Sequence, residues 1–388
     1  MDKPKILIAI NGFLPGSKFG GTVTSRTSLI QRLEKYFDFS IITLNHDYRD
    51  DTPYDSITEG WNFYKGHRIL YLSDREHNYS HLLQILKEER PDLIYLSGTI
   101  TTYFQYNYPL IKAAHVTRIP VLVTPDGDMR LQALRQKWYK KVTAILLCRI
   151  LNAFKGCHFQ TTIDEETKNL QRFLGISADR ISFLPNLPHT FVGRKNYFKQ
   201  DRQLKLIFSA RIHPQKNLLF ALQVLQKVKG RVQFDIYGPI ENVEYWKKCQ
   251  QIITTCPGNL QISYKGPLAP DQAQRIYTNY DCSFLPTISE NYGYSIEESL
   301  TCGCPVLISK GTTPWDDLNG KAGFAIPLSQ PDLFTAHIER LIEMTSAQFQ
   351  DFTRAIEEYL TKKLVCSTLI AQYKTTFRQL IHHDTRTY

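Results

Sequence analysis

Short apolar runs alternate with amphipathic stretches along the whole chain, and the alternation predicts strands separated by helices. Lys5 to Ile10 is β-branched and apolar and stops at Asn11-Gly12, which reads as a first buried strand. The loop after it carries Gly12, Gly16, Gly20 and Gly21, and a helix begins near Thr22 with Leu29, Ile30, Leu33 and Tyr36 on one face. Phe39 to Leu44, Asp92 to Leu96, Pro120 to Thr124, Cys157 to Thr161 and a run ending at Leu184 read as further strands. Between them, His81 to Glu89, Pro109 to Val116, Arg130 to Lys155 and Asp164 to Leu174 read as helices, the third as one long helix or a pair. Leu187 to Gln203 breaks the pattern with Pro, Gly and scattered charge and is the linker candidate. The alternation then resumes with strands at Leu204 to Ser209, Val232 to Tyr237, Ile262 to Tyr264, Cys282 to Leu285 and Pro305 to Ile308. From Pro331 to Ile381 the pattern is helical, with Phe334, Ile338, Leu341 and Ile342 as one stripe. Strands alternating with helices imply parallel sheets covered on both faces, an α/β fold.

A length of 388 residues suits two domains, since single cores seldom grow past about 250 to 300 residues. The expected division is 1–187 and 188–365, with 366–388 as a terminal helix. No run of roughly 18 apolar residues is present to predict a spanning helix. The start, MDKPKILIAING, enters a strand at once and does not resemble a secretory leader, so a cytoplasmic setting is expected. The eight cysteines then read as buried thiols rather than a disulfide framework.

The formal net charge of +10 calls for anionic partners: a phosphate-bearing substrate, an anionic membrane face or nucleic acid. Nucleic acid is the weakest of these, because no recognition module and no long block of Lys and Arg appears. The segment Arg130 to Lys155 mixes cations with Trp138, Tyr139 and a Leu-Ile face. Such a helix either lies on an anionic membrane or packs its stripe on its own core, and amphipathicity does not separate the two.

Candidate chemistry concentrates between Tyr280 and Ser309, where a strand, a polar loop, a helix and a second strand follow one another. Gly293 stands at the helix entrance, so backbone N–H groups of Gly293, Tyr294 and Ser295 could hold a phosphate. Glu290 and Glu298 flank that entrance, and carboxylates, being acceptors only, suit the paired hydroxyls of a ribose or hexose. Arg211 and Lys216 lie in the loop after the Leu204 to Ser209 strand and could clamp a diphosphate, Arg as a fork and Lys as a point charge. Gly238-Pro239 and the turn ending at Leu268 close two neighbouring strands, where an open parallel sheet binds its ligand. Solvent-facing charges and turn glycines are the plain alternative for each residue taken singly.

Taken together, Glu290, Asn291, Tyr292, Gly293, Tyr294 and Glu298, followed by Cys-Gly-Cys-Pro-Val from Cys302 to Val306, resemble the retaining glycosyltransferases of family 4. Arg211 and Lys216 match that family's cationic pair, and Gly20 and Gly21 resemble the glycine loop of its N-terminal domain. The resemblance implies the GT-B architecture, two doubly wound Rossmann-like domains facing across a cleft. It implies transfer of a hexose from a nucleoside diphosphate sugar to a saccharide hydroxyl with retention, with no metal and no cofactor beyond that co-substrate. Arg211, Lys216 and Glu290 would be the catalytic set; Gly20, Gly21, Gly238, Pro239, Leu268, Asn291, Tyr292, Gly293, Tyr294 and Glu298 would contact the donor. In the family the final helix crosses back onto the first domain. A lipid-linked acceptor in bacterial surface polysaccharide assembly, at the inner face of the plasma membrane, is the expectation from the family and the basic surface.

Asp126 and Asp128, in TPDGDMR, are acceptor-side candidates. An Asp-x-Asp after a strand holds a divalent metal in other transferases, but no further carboxylates surround this pair, and a turn with two caps for the next helix is the preferred reading. Family relatives often have His or Arg near Asp126. A binding protein without catalysis, or a phosphorylase or epimerase on the same architecture, are the other readings; nucleotide release, phosphate dependence and sugar interconversion separate them.

Overall fold

The computed structural model describes residues 3–383 except 17–18, 49, 102, 136–137, 194–196, 269, 291 and 365. The chain divides into two compact units, Met1–Leu187 with Cys366–Tyr388, and Pro188–Val365.

The first unit holds β1 Lys5–Ala9, β2 Asp38–Leu44, β3 Trp61–Tyr64, β4 His67–Leu72, β5 Leu93–Ser97, β6 Val121–Thr124, β7 His158–Thr161 and β8 Ile181–Phe183. They form one sheet in the order β3-β4-β2-β1-β5-β6-β7-β8. All neighbours run parallel except β3 and β4, a hairpin turned through Lys65 and Gly66, both at positive φ. Periodicity does not announce β3: Phe63 is 79% exposed, so this edge strand buries no regular face. β4, by contrast, buries Ile69 to Leu72 and was missed although its apolar run is visible.

The central strands are apolar along their whole length because helices cover both faces; Ile6, Leu7 and Ile8 of β1 and Leu93 to Tyr95 of β5 are all fully buried. Arg130 to Lys155 resolves into two helices, Leu131–Arg135 and Trp138–Ile150. The expected helix at Asp164 changes character at Leu170, where a π-helical turn runs to Leu174 and ends on Gly175 at φ 70°.

The last helix, Cys366–His383, belongs to this unit. Tyr373, Phe377 and Leu380 are buried there, with the Phe377 ring 5.4 Å from Phe37 and 5.8 Å from Tyr95. The Tyr373 hydroxyl accepts from Gln160 Nε2 (2.7 Å) and donates to the Pro185 carbonyl (3.1 Å).

The second unit is a six-stranded sheet of β9 Gln203–Ser209, β10 Arg231–Tyr237, β11 Leu260–Gly266, β12 Cys282–Leu285, β13 Val306–Ser309 and β14 Gly323–Ile326. Its order is β11-β10-β9-β12-β13-β14 and every pair is parallel. The chain therefore winds outward one way from β9 and the other way from β12, leaving a switch point between their carboxyl ends, Ser209 and Leu285. Open α/β sheets bind ligands outside such a point. Phe208, Phe234 and Phe284 fill the core beneath it. Of the described cysteines, Cys148, Cys157, Cys249, Cys282, Cys302 and Cys304 are buried and Cys256 is half-buried.

Candidate active site

Both loops at the β9/β12 switch point carry residues singled out above. The loop after β9 is fastened to the end of β10: the Ala210 amide donates to Tyr237 O (3.1 Å) and the Ile212 amide to Pro239 O (2.9 Å). Gly238 is required there, since it sits at φ 139° and a Cβ would lie 1.9 Å from the Ala210 carbonyl oxygen. Gly238→Ala is expected to destabilise the second unit by about 2–4 kcal/mol, read as a lower urea midpoint with unchanged slope. Arg211 rises from this loop, partly exposed, and its Nη1 donates to Glu241 Oε2 at 2.6 Å. Leu268, after β11, packs against the buried cluster of Ile207, Tyr277, Tyr280, Cys302 and Cys304.

The turn Pro214–Lys216 then meets the loop after β12. The Gln215 carbonyl accepts from the Ile288 amide (2.8 Å) and the Thr287 hydroxyl (3.0 Å), and Gln215 Nε2 donates to Ser289 O (2.9 Å). These bonds bring Lys216 to Glu290, 74 residues on in sequence, and its ammonium donates to Glu290 Oε1. The pair is only slightly exposed, at 13% and 12%. The Glu290 amide is itself held by Thr312 O at 2.8 Å.

Gly293 caps the helix Tyr294–Thr301 from the left-handed region, φ 82° and ψ 57°. A Cβ there would come within 3.0 Å of Ile296. Tyr292 and Tyr294 place their rings 4.8 Å apart, and the Trp315 indole donates to Tyr292 O at 2.6 Å. Asn291 lies outside the described residues. Glu298 is half-buried in this helix, close enough to Tyr277 that its charge adds to burial in raising that phenol. The neighbouring Glu297, which sequence reasoning passed over, is wholly buried and accepts from the His189 amide (2.5 Å) and His189 Nδ1 (3.1 Å). Arg211, Lys216, Gly238, Pro239, Glu290, Tyr292, Gly293, Tyr294 and Glu298 thus occupy loops and a helix start at one end of one sheet. Among the described residues no group of three or more His, Cys, Asp and Glu gathers in a way that could hold a metal ion.

In the first unit, Gly20 caps the helix Gly21–Leu33 at φ 66°. On that helix Arg26 is fully buried. Its guanidinium donates to Ser97 Oγ (Nε 3.1 Å, Nη2 2.9 Å), Ser25 Oγ (3.0 Å) and Asp126 Oδ2 (2.5 Å), and it lies 4.7 Å over the Tyr95 ring. An Arg on the apolar face beside Val23 and Ile30 was the available signal, and it was missed.

The capping role expected for Asp126 and Asp128 is corrected. Asp126 takes φ 52° and turns to Arg26 and Thr124. Asp128 accepts from the Thr99 amide (3.1 Å) and the Thr101 hydroxyl (2.8 Å). Glu165 instead accepts from the Leu131 amide (2.9 Å), because Asp126 is turned to Arg26 and Thr124 and Asp128 to the loop after β5.

Glu166, fully buried, accepts from the Gly127 amide (2.7 Å) and from Thr162, and burial pushes its carboxyl up to about 7. Since its folded value lies above its unfolded one, this stabilisation of the protonated form is complete below about pH 4.5 and fades as pH rises through about 7. Glu166→Gln should therefore gain on the wild type by on the order of 3 kcal/mol between pH 4.5 and 8. Paired urea melts across that range check it. His77, held near 4 by burial, titrates alike in both proteins and cancels in the difference.

Taken over both units, this architecture is the GT-B fold. The chain is similar to sucrose-phosphate synthase from Thermosynechococcus elongatus, with TM-score 0.68, 14% identity and coverage of 98% of this chain and 100% of that one. It is similar to HepE of Anabaena in complex with UDP and glucose, with TM-score 0.66, 15% identity and coverage of 97% and 100%. It is similar also to WaaG, a glycosyltransferase involved in lipopolysaccharide biosynthesis, with TM-score 0.63, 10% identity and coverage of 96% and 99%. No curated protein matches the chain in sequence. Residues 192–360, nearly all of the second unit, match the family described as glycosyl transferases group 1. The family match is confined to the second unit, and for the whole chain the structural likeness shows the GT-B fold.

Proposed function

We propose that the chain moves a hexose from a nucleoside diphosphate sugar to a hydroxyl of a saccharide acceptor, keeping the anomeric configuration and using no metal ion. The observation that carries this reading is the joining of Lys216 to Glu290 at the β9/β12 switch point, beside Arg211 and the Gly293 helix start.

The energetic problem in this reaction is departure of a diphosphate as negative charge develops on it. Fixed cations and N–H groups aimed at that charge are the largest source of acceleration. Lys216 and Arg211, released from Glu290 and Glu241, supply the cations, and the Gly293 and Tyr294 amides supply the dipole end. Glu290 then accepts from hydroxyls of the hexose, and Glu298 from the ribose diol. The bond from the anomeric carbon to the diphosphate breaks, and the acceptor oxygen bonds to that carbon on the same face. Its proton passes to the departing phosphate oxygen, so no protein base is needed on that face.

HepE is recorded with UDP-glucose, and WaaB as a lipopolysaccharide outer core galactosyltransferase. These relatives support a UDP-hexose as the first donor to try. The lipopolysaccharide role of WaaB also favours a lipid-linked saccharide of a bacterial surface polysaccharide as the acceptor to try. Thermal shift against UDP-, GDP- and ADP-sugars identifies the donor, since a ligand bound only to the folded state raises stability by mass action. Coupled nucleotide release with that donor then tests catalysis. A shift without any release, with or without saccharide acceptors, would assign the chain as a nucleotide-sugar-binding protein instead.

A further inference from the structure

A helix on a protein surface ordinarily buries its apolar stripe. The helix Trp138–Ile150 buries only Cys148 fully, with Ala144 and Ile145 half-buried against the core, and leaves a second apolar stripe outside. Trp138, Val142, Leu146 and Ile150 recur every fourth residue and are exposed, Trp138 at 64% and Ile150 at 69%. Tyr139 and Leu147 widen the stripe, and Leu151 extends it past the helix end. Single exposed apolar side chains are ordinary, but a contiguous patch of this kind marks an interaction surface.

Charge decides what the surface meets. Between Met129 and Ile163 the sequence has seven Lys and Arg residues and no Asp or Glu. Lys141 is engaged with the Ala133 carbonyl at 2.7 Å, while Arg135, Lys140, Arg149 and Lys155 are exposed around the apolar stripe. A second copy of the chain would bring these cations against one another. A bilayer carrying anionic headgroups complements both features, taking the apolar side chains at the acyl boundary and the cations at the phosphates. Trp and Tyr, each apolar in body and polar at one edge, suit that boundary. No helix among the described residues is long and apolar enough to cross a membrane, so the contact is one of lying on the surface.

We propose that the helix Trp138–Ile150 docks the protein onto the anionic face of a lipid bilayer. The purpose, though not the surface, rests on the reading of the acceptor as lipid-linked: a protein held at the bilayer meets its acceptor in two dimensions.

The test is co-sedimentation of the full chain with vesicles of phosphatidylcholine alone and of phosphatidylcholine mixed with phosphatidylglycerol. Binding is expected to the mixed vesicles, weakening as salt rises, and little to the neutral ones. Combined Trp138→Ser, Leu146→Ser and Ile150→Ser, and separately Lys140→Glu with Arg149→Glu, should each weaken binding about tenfold or more. Both variants should keep the wild-type melting temperature, because the side chains changed are exposed.

Equal binding to both vesicle types, no binding, or serine and glutamate variants that bind like wild type would overturn the proposal. So would light scattering that shows a dimer which the serine variant dissociates, for then the surface belongs to a second copy. Vesicle binding needs no sugar nucleotide, so a chain that binds vesicles and releases no nucleotide counts against the transferase reading alone.

Discussion

Lys216→Ala is expected to lower turnover by about a hundred- to a thousandfold, the usual cost of deleting one preorganised donor to a developing anion. The ammonium stands on a turn bonded to the neighbouring loop through Gln215, so it is held in place before any ligand arrives. If, as proposed, its interaction grows as the diphosphate departs, kcat and kcat/KM should fall together, whereas a contact to the base would raise KM alone. Glu290→Gln, which keeps an acceptor but loses the charge that holds Lys216, should cost less. Arg211→Ala should lose far more turnover than Asp126→Ala when rates are normalised to folded protein, and equal losses would count against the assignment. Initial rates of nucleotide release, with melting curves beside them, make all four measurements.

Arg26→Met should destabilise the protein by about 3–5 kcal/mol, because it leaves the Asp126 carboxylate, only 12% exposed, without its counter-charge. Pairing the change with Asp126→Asn should recover much of that loss, since a neutral amide tolerates burial far better than an orphaned charge. Arg26→Lys should recover little: the guanidinium serves Ser25, Ser97 and Asp126 from three nitrogens in one plane, and an ammonium has no such fork. Urea melts of the four proteins check the set. A single variant as costly as the double would mean that packing over Tyr95, and not charge, explains the effect.

The fold class was legible because its central strands are buried on both faces and so read as unbroken apolar runs, as at Ile6 to Ile8 and Val121 to Val123. Loops following such strands could be named for the same reason. Which loops meet could not be read, since the approach of Lys216 to Glu290 depends on β9 and β12 being neighbours, a fact of sheet order and not of local pattern. Asp126 misled for a related reason. Its spacing suits a cap, but a left-handed backbone at that residue turns the carboxylate toward an arginine 100 positions earlier. Glu297 hid behind Glu298: adjacent identical residues on a helix point different ways, and only packing tells which one meets His189.

The first unit is assembled from both ends of the chain, whereas the second is one unbroken piece. On a ribosome, Pro188 to Val365 can fold as soon as it has emerged, while the opening sheet waits with Gln160 and the pocket around Phe37 uncovered. Tyr373 and Phe377 reach it only after the whole second unit has been made, so of the two units the one begun earlier is completed later.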